Sequence, residues 1–148
     1  MYEILIVGGG PAGLTAAIYA ARAGKHVAVL ERGSTGGQII SAPLVENYPG
    51  IPSVSGTELA RQMTEQACTF GAEIVYTEAV GLEKTPAGFR VLCTDGVREA
   101  KTVILATGAA HRQLGLPWET TLTGCGISYC AVCDGAFYEG ADVAVVGG

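Results

Sequence analysis

The chain has 148 residues, 49% of them hydrophobic and 16% charged, with a formal net charge of −5. That length suffices for one ordinary domain with a real core, and the apolar content excludes a disordered chain. The acidic balance argues against nucleic acid or an anionic membrane surface as a partner, because both require basic patches.

The first element is Ile4 to Val7, a short apolar, β-branched run typical of a strand buried on both faces. From Ile4 to Ala21 there is no charged residue, about the length of a membrane span. Glu3 stands where a leader would be basic, and Gly8, Gly9, Gly10, Pro11 and Gly13 interrupt the run, so neither a span nor a signal peptide fits. Ala12 to Ala23 reads instead as a helix that Gly24 stops. Val27 to Leu30 is a second buried strand ending at Glu31, and the whole is a βαβ unit. Without export, five cysteines suggest a reducing, cytoplasmic setting. There a close cysteine pair is more often catalytic or metal-binding than structural.

Residues 32–55 are irregular and carry Gly33, Gly36, Gly37, Pro43, Pro49, Gly50 and Pro52; a loop of that length inside a compact domain is usually functional. Ser55 to Glu58 has capping-box spacing and opens a helix to about Phe70, with Leu59, Met63, Ala67 and Phe70 along one stripe. Ile74 to Tyr76 reads as a strand. Phe89–Cys93 and Val97–Ala100 read as a hairpin around Asp95-Gly96, and Val103 to Ala106 as a buried strand running into Thr107 and Gly108. Gln113 to Thr123, with Pro117, is a connector. Val143 to Val146 is an expected buried strand before Gly147 and Gly148, and "VAVVGG" echoes the opening "ILIVGG". A second βαβ unit therefore begins there, as expected of a fragment of a longer protein.

Two motifs carry chemistry. Gly8-x-Gly10-x-x-Gly13 follows a strand and opens a helix. Gly8 permits the tight turn, Gly10 lets a pyrophosphate approach the backbone, and Gly13 lets the helix pack on the strand. The phosphates would sit at the helix N-terminus, where free N–H groups and the dipole attract anions. Glu31 is placed to accept from ribose hydroxyls and disfavours a 2′-phosphate, so FAD or NAD is expected here rather than NADP; Arg32 beside it pulls the other way. The second motif is Cys130-x-x-Cys133, followed by Asp134. A structural zinc site needs four ligands; this pair supplies two, no second such pair exists, and His26 and His111 are far away in sequence. Cys125-x4-Cys130-x2-Cys133 matches three ligands of a plant-type [2Fe–2S] centre, but no cysteine follows Cys133. A redox dithiol fits best, because such a loop closes a disulfide that is readily made and reduced. No metal site is assigned.

Taken together, "GGGPAGLTAAIYAARAG", "GGQI", "VENYPG", "ATGA", "LGLPWE", "CAVCDG" and "VAVVGG" resemble the low-molecular-weight thioredoxin reductases of bacteria, within the pyridine nucleotide-disulfide oxidoreductase family. The resemblance runs end to end and implies an α/β fold: an FAD/NAD(P)-binding Rossmann-like domain whose parallel sheet has a βαβ start and a small antiparallel hairpin layer, with an incomplete second domain. Residues 1–113 would be the first segment of the FAD domain and 114–124 a connector. Residues 125–148 would hold the redox motif and the first strand of a truncated NADPH-binding domain. By the same resemblance Gly10, Pro11 and Ala12 hold the pyrophosphate and Glu31 the adenosine ribose. Gly36, Gly37 and Gln38 line the ribityl chain and flavin, and Asn47 lies near the isoalloxazine. The backbone at Ala79 meets the adenine, and Thr107, Gly108 and Ala109 close the pocket.

The implied activity is an FAD-dependent disulfide reductase drawing on NADPH. Cys133 would lie against the flavin, Cys130 would attack the disulfide of thioredoxin or a thioredoxin-like protein, and Asp134 would be the general acid/base. The full-length protein would be a homodimer. Two other readings stay open: an FAD-binding fragment without turnover of its own, and a reductase module serving a peroxiredoxin.

Overall fold

The computed structural model describes residues 1–147. It divides into two compact units, Met1–Gly108 and Ala109–Gly148.

The first unit is built on one six-stranded sheet with the strand order β3-β2-β1-β6-β5-β4. The strands are β1 (Tyr2–Val7), β2 (Val27–Glu31), β3 (Glu73–Tyr76), β4 (Ala79–Thr85), β5 (Gly88–Cys93) and β6 (Gly96–Leu105), and two helices, α1 (Pro11–Arg22) and α2 (Gly56–Thr69), connect them. β1, β2, β3 and β6 are parallel neighbours, whereas β4, β5 and β6 pair antiparallel. The sheet is thus the mixed Rossmann-like α/β architecture expected, with its antiparallel layer continuous with the parallel one.

Alternation along β1 and β2 sends side chains to both faces. Ile6, Val27 and Val29 meet Leu14, Ala17 and Ala21 of α1 and Leu59, Met63 and Ala67 of α2 in one buried cluster. Leu5, Ala28 and Leu30 point the other way and cluster with Val91 and Cys93 of β5 and Ala100 of β6. Helices therefore cover one face and the antiparallel strands close over the other. This explains why the first two strands read as unbroken apolar runs. Ser55 caps α2 as its spacing predicts, accepting the Glu58 N–H on its hydroxyl at 3.2 Å.

Three elements differ from the sequence expectation. β6 is a single ten-residue strand, not a hairpin arm followed by a separate strand: Ala100 is in register with both Phe89 and Tyr2. Its pattern changes midway because it leaves an antiparallel pairing and enters a parallel one, where Val103 and Ile104 are only half-buried and Leu105 is exposed, so the segment expected to be fully buried is not. The hairpin turn lies at Thr94-Asp95, one residue earlier than expected, with Gly96 already paired to Cys93. β4 was not anticipated; it is an edge strand carrying Glu83 and Lys84, and charge on an edge blunts further pairing while erasing the apolar signal.

The second unit holds two single-turn helices, α3 (Glu119–Leu122) and α4 (Ala131–Asp134), and a 3₁₀ turn at Gly135–Tyr138. The expected strand at Val143–Val146 is not formed. A buried strand needs neighbours on its edges and faces, and Val143, Val145 and Val146 are 63%, 89% and 69% exposed.

Leu14 lies fully buried where α1 meets the sheet. Leu14→Ala is expected to lower stability by about 3 kcal/mol through lost transfer energy and a residual cavity. Tyr19→Ala on the exposed side of the same helix should stay within about 0.5 kcal/mol. Urea unfolding followed by far-ultraviolet circular dichroism reads both, and equal midpoints for the two variants would contradict this packing.

Candidate functional site

The parallel strands end together. Val7 of β1 is in register with Leu30 of β2 and with Leu105 of β6. The chain order reverses at β1, which lies between β2 and β6. Such a switch point opens a crevice beyond the carboxyl ends of the strands, where α/β folds place their ligands. The glycine turn fills this position. Gly8 has φ +107° and donates its N–H to Leu30 O at 2.9 Å. A Cβ on Gly8 would sit 2.3 Å from Ala106 O, and one on Gly13 would sit 1.9 Å from Gly8 O. Both glycines are thus required by the packing of the protein itself. Gly10 differs, since a Cβ there would meet nothing nearer than the Gly37 Cα at 3.9 Å. The space beside Gly10 is open to an incoming group.

That space lies at the start of α1. Gly10 is the N-cap residue, Pro11 occupies the first turn, and no side chain caps the helix. Its leading N–H groups and dipole are therefore available to an anion. Pro11 removes one donor and presets φ, while Ala12 is exposed beside it. Gly36 and Gly37, with φ +113° and +56°, bring the following loop back against the turn: Gly36 N donates to Gly9 O at 2.7 Å. Gln38 is exposed in the short 3₁₀ turn Gly37–Ser41.

Glu31 ends β2 half-buried. Its Oε2 accepts the Gly9 N–H at 2.7 Å and its Oε1 the Gly33 N–H at 2.9 Å. The carboxylate is thus anchored at the crevice by two backbone donors and retains lone pairs for further donors such as ribose hydroxyls. Arg32, which complicated the reading of Glu31, forms an exposed ion pair with Glu78 at 3.6 Å. Thr77 at the end of β3 donates its N–H to Glu31 O at 2.9 Å, so β3 also reaches this end of the sheet.

The structure therefore gathers Gly8, Gly10, Pro11, Ala12, Gly13, Glu31, Gly36 and Gly37 at one crevice. Thr107 joins them, its Cα lying 3.3 Å from the position of a Gly8 Cβ, and exposed Gly108 follows it. Asn47 is exposed in a ribbon closed by the bridges Val45↔Val54 and Tyr48↔Ile51. Ala79 is half-buried at the start of β4, paired with Cys93. No hydrogen bond is formed between either residue and the glycine turn. Ala109 opens the second unit. An open glycine cradle over an uncapped helix, with an anchored acid at the second strand, fits the pyrophosphate and ribose of a dinucleotide.

The second unit carries the cysteines. Cys130 and Cys133 are joined in a disulfide, so neither sulfur is free to ligate a metal in this state. α4 begins at the pair: Cys133 N and Asp134 N donate to Cys130 O at 3.1 and 3.0 Å, and Cys133 N also approaches the Cys130 Sγ at 3.2 Å. Cys133 is exposed, Cys130 and Asp134 are half-buried, and Val132 between the cysteines is 98% exposed. The disulfide therefore sits on a projecting turn. Cys68 and Cys125 are exposed free thiols, and Cys93 is buried. Burial pushes the Cys93 thiol above its ordinary value, as befits a core residue rather than a nucleophile.

Sequence reasoning missed the support beneath this turn. Glu119 is only 4% exposed, and its carboxylate accepts the N–H groups of Leu114, Gly115 and Leu116 at 2.8, 2.7 and 3.0 Å. The hydroxyl of Tyr129 donates to it as well. Tyr129 in turn stacks on His111, with ring centroids 3.6 Å apart. Burial tends to raise the Glu119 pKa, but the N–H donors of Leu114, Leu116 and Gly115 outweigh it, and the net direction is downward. Trp118, preceding it, has φ +66° and is 77% exposed. The available signal was an acid three to five residues after a Leu-Gly-Leu stretch, the spacing at which a carboxylate can fold back onto successive backbone donors.

A carboxylate whose folded pKa is depressed stabilises the fold fully above its unfolded pKa, about 4.3 for Glu, and that contribution is lost as pH falls through the lower folded value. Trp118 is the sole tryptophan, so its fluorescence reports this loop directly. The emission should stay flat from pH 8 to about 5 and change only below about 4.3. Glu119→Gln should shift it at neutral pH. A midpoint above pH 5 would contradict the role of the three donors.

The comparisons agree with this geometry. Residues 2–148 match the family model described as pyridine nucleotide-disulphide oxidoreductase. The chain is 45% identical over 148 residues to the thioredoxin reductase of Treponema pallidum, with 99% of this chain and 48% of that protein covered. It is 44% identical to that of Bacillus subtilis, with 100% and 47% covered. Among solved structures, the thioredoxin reductase of Streptococcus pyogenes superposes with a TM-score of 0.81 at 50% identity, covering 93% of this chain and 45% of that one. The chain thus spans about half the length of the curated relatives it matches. No helix among the described residues is long and apolar enough to cross a membrane. With a glycine-lined crevice at the strand ends and a CxxC disulfide in one chain matched over residues 2–148, this protein belongs to the pyridine nucleotide-disulphide oxidoreductase family.

Proposed function

We propose that this chain is the flavin-binding and disulfide-bearing N-terminal part of a thioredoxin reductase, which passes electrons from NADPH through FAD and the Cys130–Cys133 disulfide to thioredoxin in the cytoplasm, as a homodimer. The observation that carries this reading is the closed Cys130–Cys133 disulfide on an exposed turn, with Asp134 next in sequence. It occurs in a chain about 45% identical throughout to named thioredoxin reductases.

The FAD pyrophosphate would lie over Gly10, Pro11 and Ala12 at the N-terminus of α1, and the adenosine ribose against Glu31. Gly36, Gly37 and Gln38 would line the ribityl chain and flavin, with Asn47, Ala79, Thr107, Gly108 and Ala109 completing the pocket. Bound there, FAD supplies the two-electron chemistry that a dithiol alone cannot draw from a nicotinamide. The protein's own contribution is thiol–disulfide exchange. The Cys130 thiolate attacks one sulfur of the partner disulfide, a mixed disulfide forms, and Cys133 resolves it. Asp134 takes and returns the proton, since a thiol attacks only when ionised and leaves faster when protonated.

A second reading, a fragment that binds FAD without turnover of its own, is favoured by the coverage of only about half of each relative. Broad apolar exposure supports it too: Phe137 is 84% and Val145 89% exposed, as expected where further chain would pack.

Titrating the purified chain with FAD should quench flavin fluorescence. Glu31→Gln should weaken binding by roughly tenfold, as one charge-assisted hydrogen bond is worth about 1.5 kcal/mol or more. Unchanged affinity in the variant would place the cofactor elsewhere. With FAD bound, NADPH and thioredoxin are then added. Flavin bleaching and thioredoxin reduction, both with wild-type chain and only the bleaching with Cys133→Ser, mean a complete reductase. If NADPH has no effect, yet dithionite-reduced FAD still opens the Cys130–Cys133 disulfide, the chain is the fragment.

A further inference from the structure

The hydroxyl of Ser128 occupies an unusual place beside the redox turn. A serine hydroxyl has one proton to give and lone pairs to receive. Ser128 Oγ accepts the Cys130 N–H at 3.1 Å. Its own proton can go to Asp134 Oδ2 at 2.6 Å or to Cys130 O at 3.3 Å. The shorter contact to a carboxylate is the stronger one. One oxygen therefore ties the backbone of the first cysteine to the carboxylate that follows the second.

The backbone of α4 does not supply this link. Asp134 N donates to Cys130 O, which fixes where the Asp134 Cα stands. That leaves the side-chain torsions, and so the carboxylate, free to swing into solvent, because Asp134 is only half-buried. Among the described residues no basic side chain forms an ion pair with it. The Ser128 hydroxyl is the contact that holds its direction.

We infer that Ser128 is a positioning residue for disulfide exchange: through its hydroxyl it holds the Asp134 carboxylate in place to trade a proton with the leaving or attacking sulfur of the Cys130–Cys133 pair. This rests on the acid/base role proposed above for Asp134. When an external dithiol reduces the disulfide, its thiolate attacks one sulfur and the Sγ–Sγ bond breaks. The other sulfur departs with the electron pair and takes a proton. The second thiol of the reductant then displaces the mixed disulfide, so the reductant ends as a disulfide and both cysteines as thiols. A carboxyl group accelerates the departure only if it is held within proton-transfer reach.

The test uses the 148-residue chain and dithiothreitol. Reduction is quenched by alkylation and read at Cys130 and Cys133 by mass spectrometry, so that Cys68, Cys93 and Cys125 do not interfere. The rate is measured from pH 5 to 9 for wild type, Ser128→Ala, Ser128→Thr, Asp134→Asn and the Ser128→Ala/Asp134→Asn double variant. Ser128→Ala is expected to slow reduction at pH 7 by roughly tenfold, a part of the 10²–10⁴ range of a positioned general acid. It should also flatten the pH profile as Asp134→Asn does. Ser128→Thr, which keeps the hydroxyl, should restore rate and profile. The double variant should be no slower than Asp134→Asn alone, because the two groups act as one. If Asp134→Asn reacts like wild type, the acid/base reading of Asp134 fails and the positioning role fails with it. If Asp134→Asn is slow while Ser128→Ala is normal, or the two losses multiply in the double variant, Asp134 acts without Ser128 and the inference is overturned.

Discussion

The close approach of α1 to the end of β1 is the constraint on which the first unit depends. A methyl group on Gly13 would fall 1.9 Å from the Gly8 carbonyl oxygen, and one on Gly8 would strike the carbonyl of Ala106. Backbone meets backbone at both points, and neither can yield without moving a strand. Only because these glycines let the helix descend onto the sheet do its first N–H groups face the crevice between β1 and β6. The same descent puts Leu14, Ala17 and Ala21 into the core with Ile6, Val27 and Val29. The burial that stabilises the unit and the placement of its anion-receiving end are thus one geometry. A substitution at Gly13 disturbs both, whereas at Gly10 the protein itself imposes little demand.

Glu31 works on a second level of the same arrangement. Its carboxylate binds the N–H groups of Gly9 and Gly33, which span the turn before α1 and the loop after β2. The acid proposed above as a ribose ligand is therefore first of all a brace for the glycine turn. The two roles are compatible, since each oxygen can accept more than one donor.

The βαβ start was legible in the sequence because it is written in short-range chemistry. Doubly buried strands demand continuous apolar runs, the turn demands glycine at fixed offsets, and Ser55 caps its helix three residues ahead of Glu58. The antiparallel layer was less legible. β6 serves two environments, so no single periodicity describes it, and β4 is an edge whose polar side chains protect it while hiding it. The valines at 143, 145 and 146 carry a strand's pattern without forming one, because a pattern states only what a segment would do once neighbours cover it. At the candidate site, Gly8, Gly10, Gly13, Glu31 and the two cysteines were readable from spacing, whereas Gly36, Gly37 and Gly108 came from the resemblance. Asn47 and Ala79 came only from resemblance, and nothing local in the structure singles them out. Glu119 and Ser128 were not read as functional for the opposite reason: Glu119 stood in a stretch noted only for its resemblance and Ser128 in none, and their importance lies in the groups that fold back to meet them.

The second unit holds its disulfide turn by different means. Its described residues form no sheet and have little burial, yet the cysteine pair is held by bonds that span very short stretches of chain. Ser128 meets Cys130 two residues on and Asp134 six residues on, and Tyr129 meets Glu119 ten residues back. Bonds this local need no distant partner to form, so the geometry around the disulfide does not depend on a large core. Such an arrangement suits a redox turn. In the proposed exchange the bond between the two sulfurs would break and reform, and a turn that relied on it for shape would lose its arrangement when the bond opened. Here the Ser128 and Tyr129 contacts to Asp134, Cys130 N and Glu119 involve neither sulfur. The carboxylate contacts of Asp134 and Glu119, alongside the disulfide, are what hold this turn.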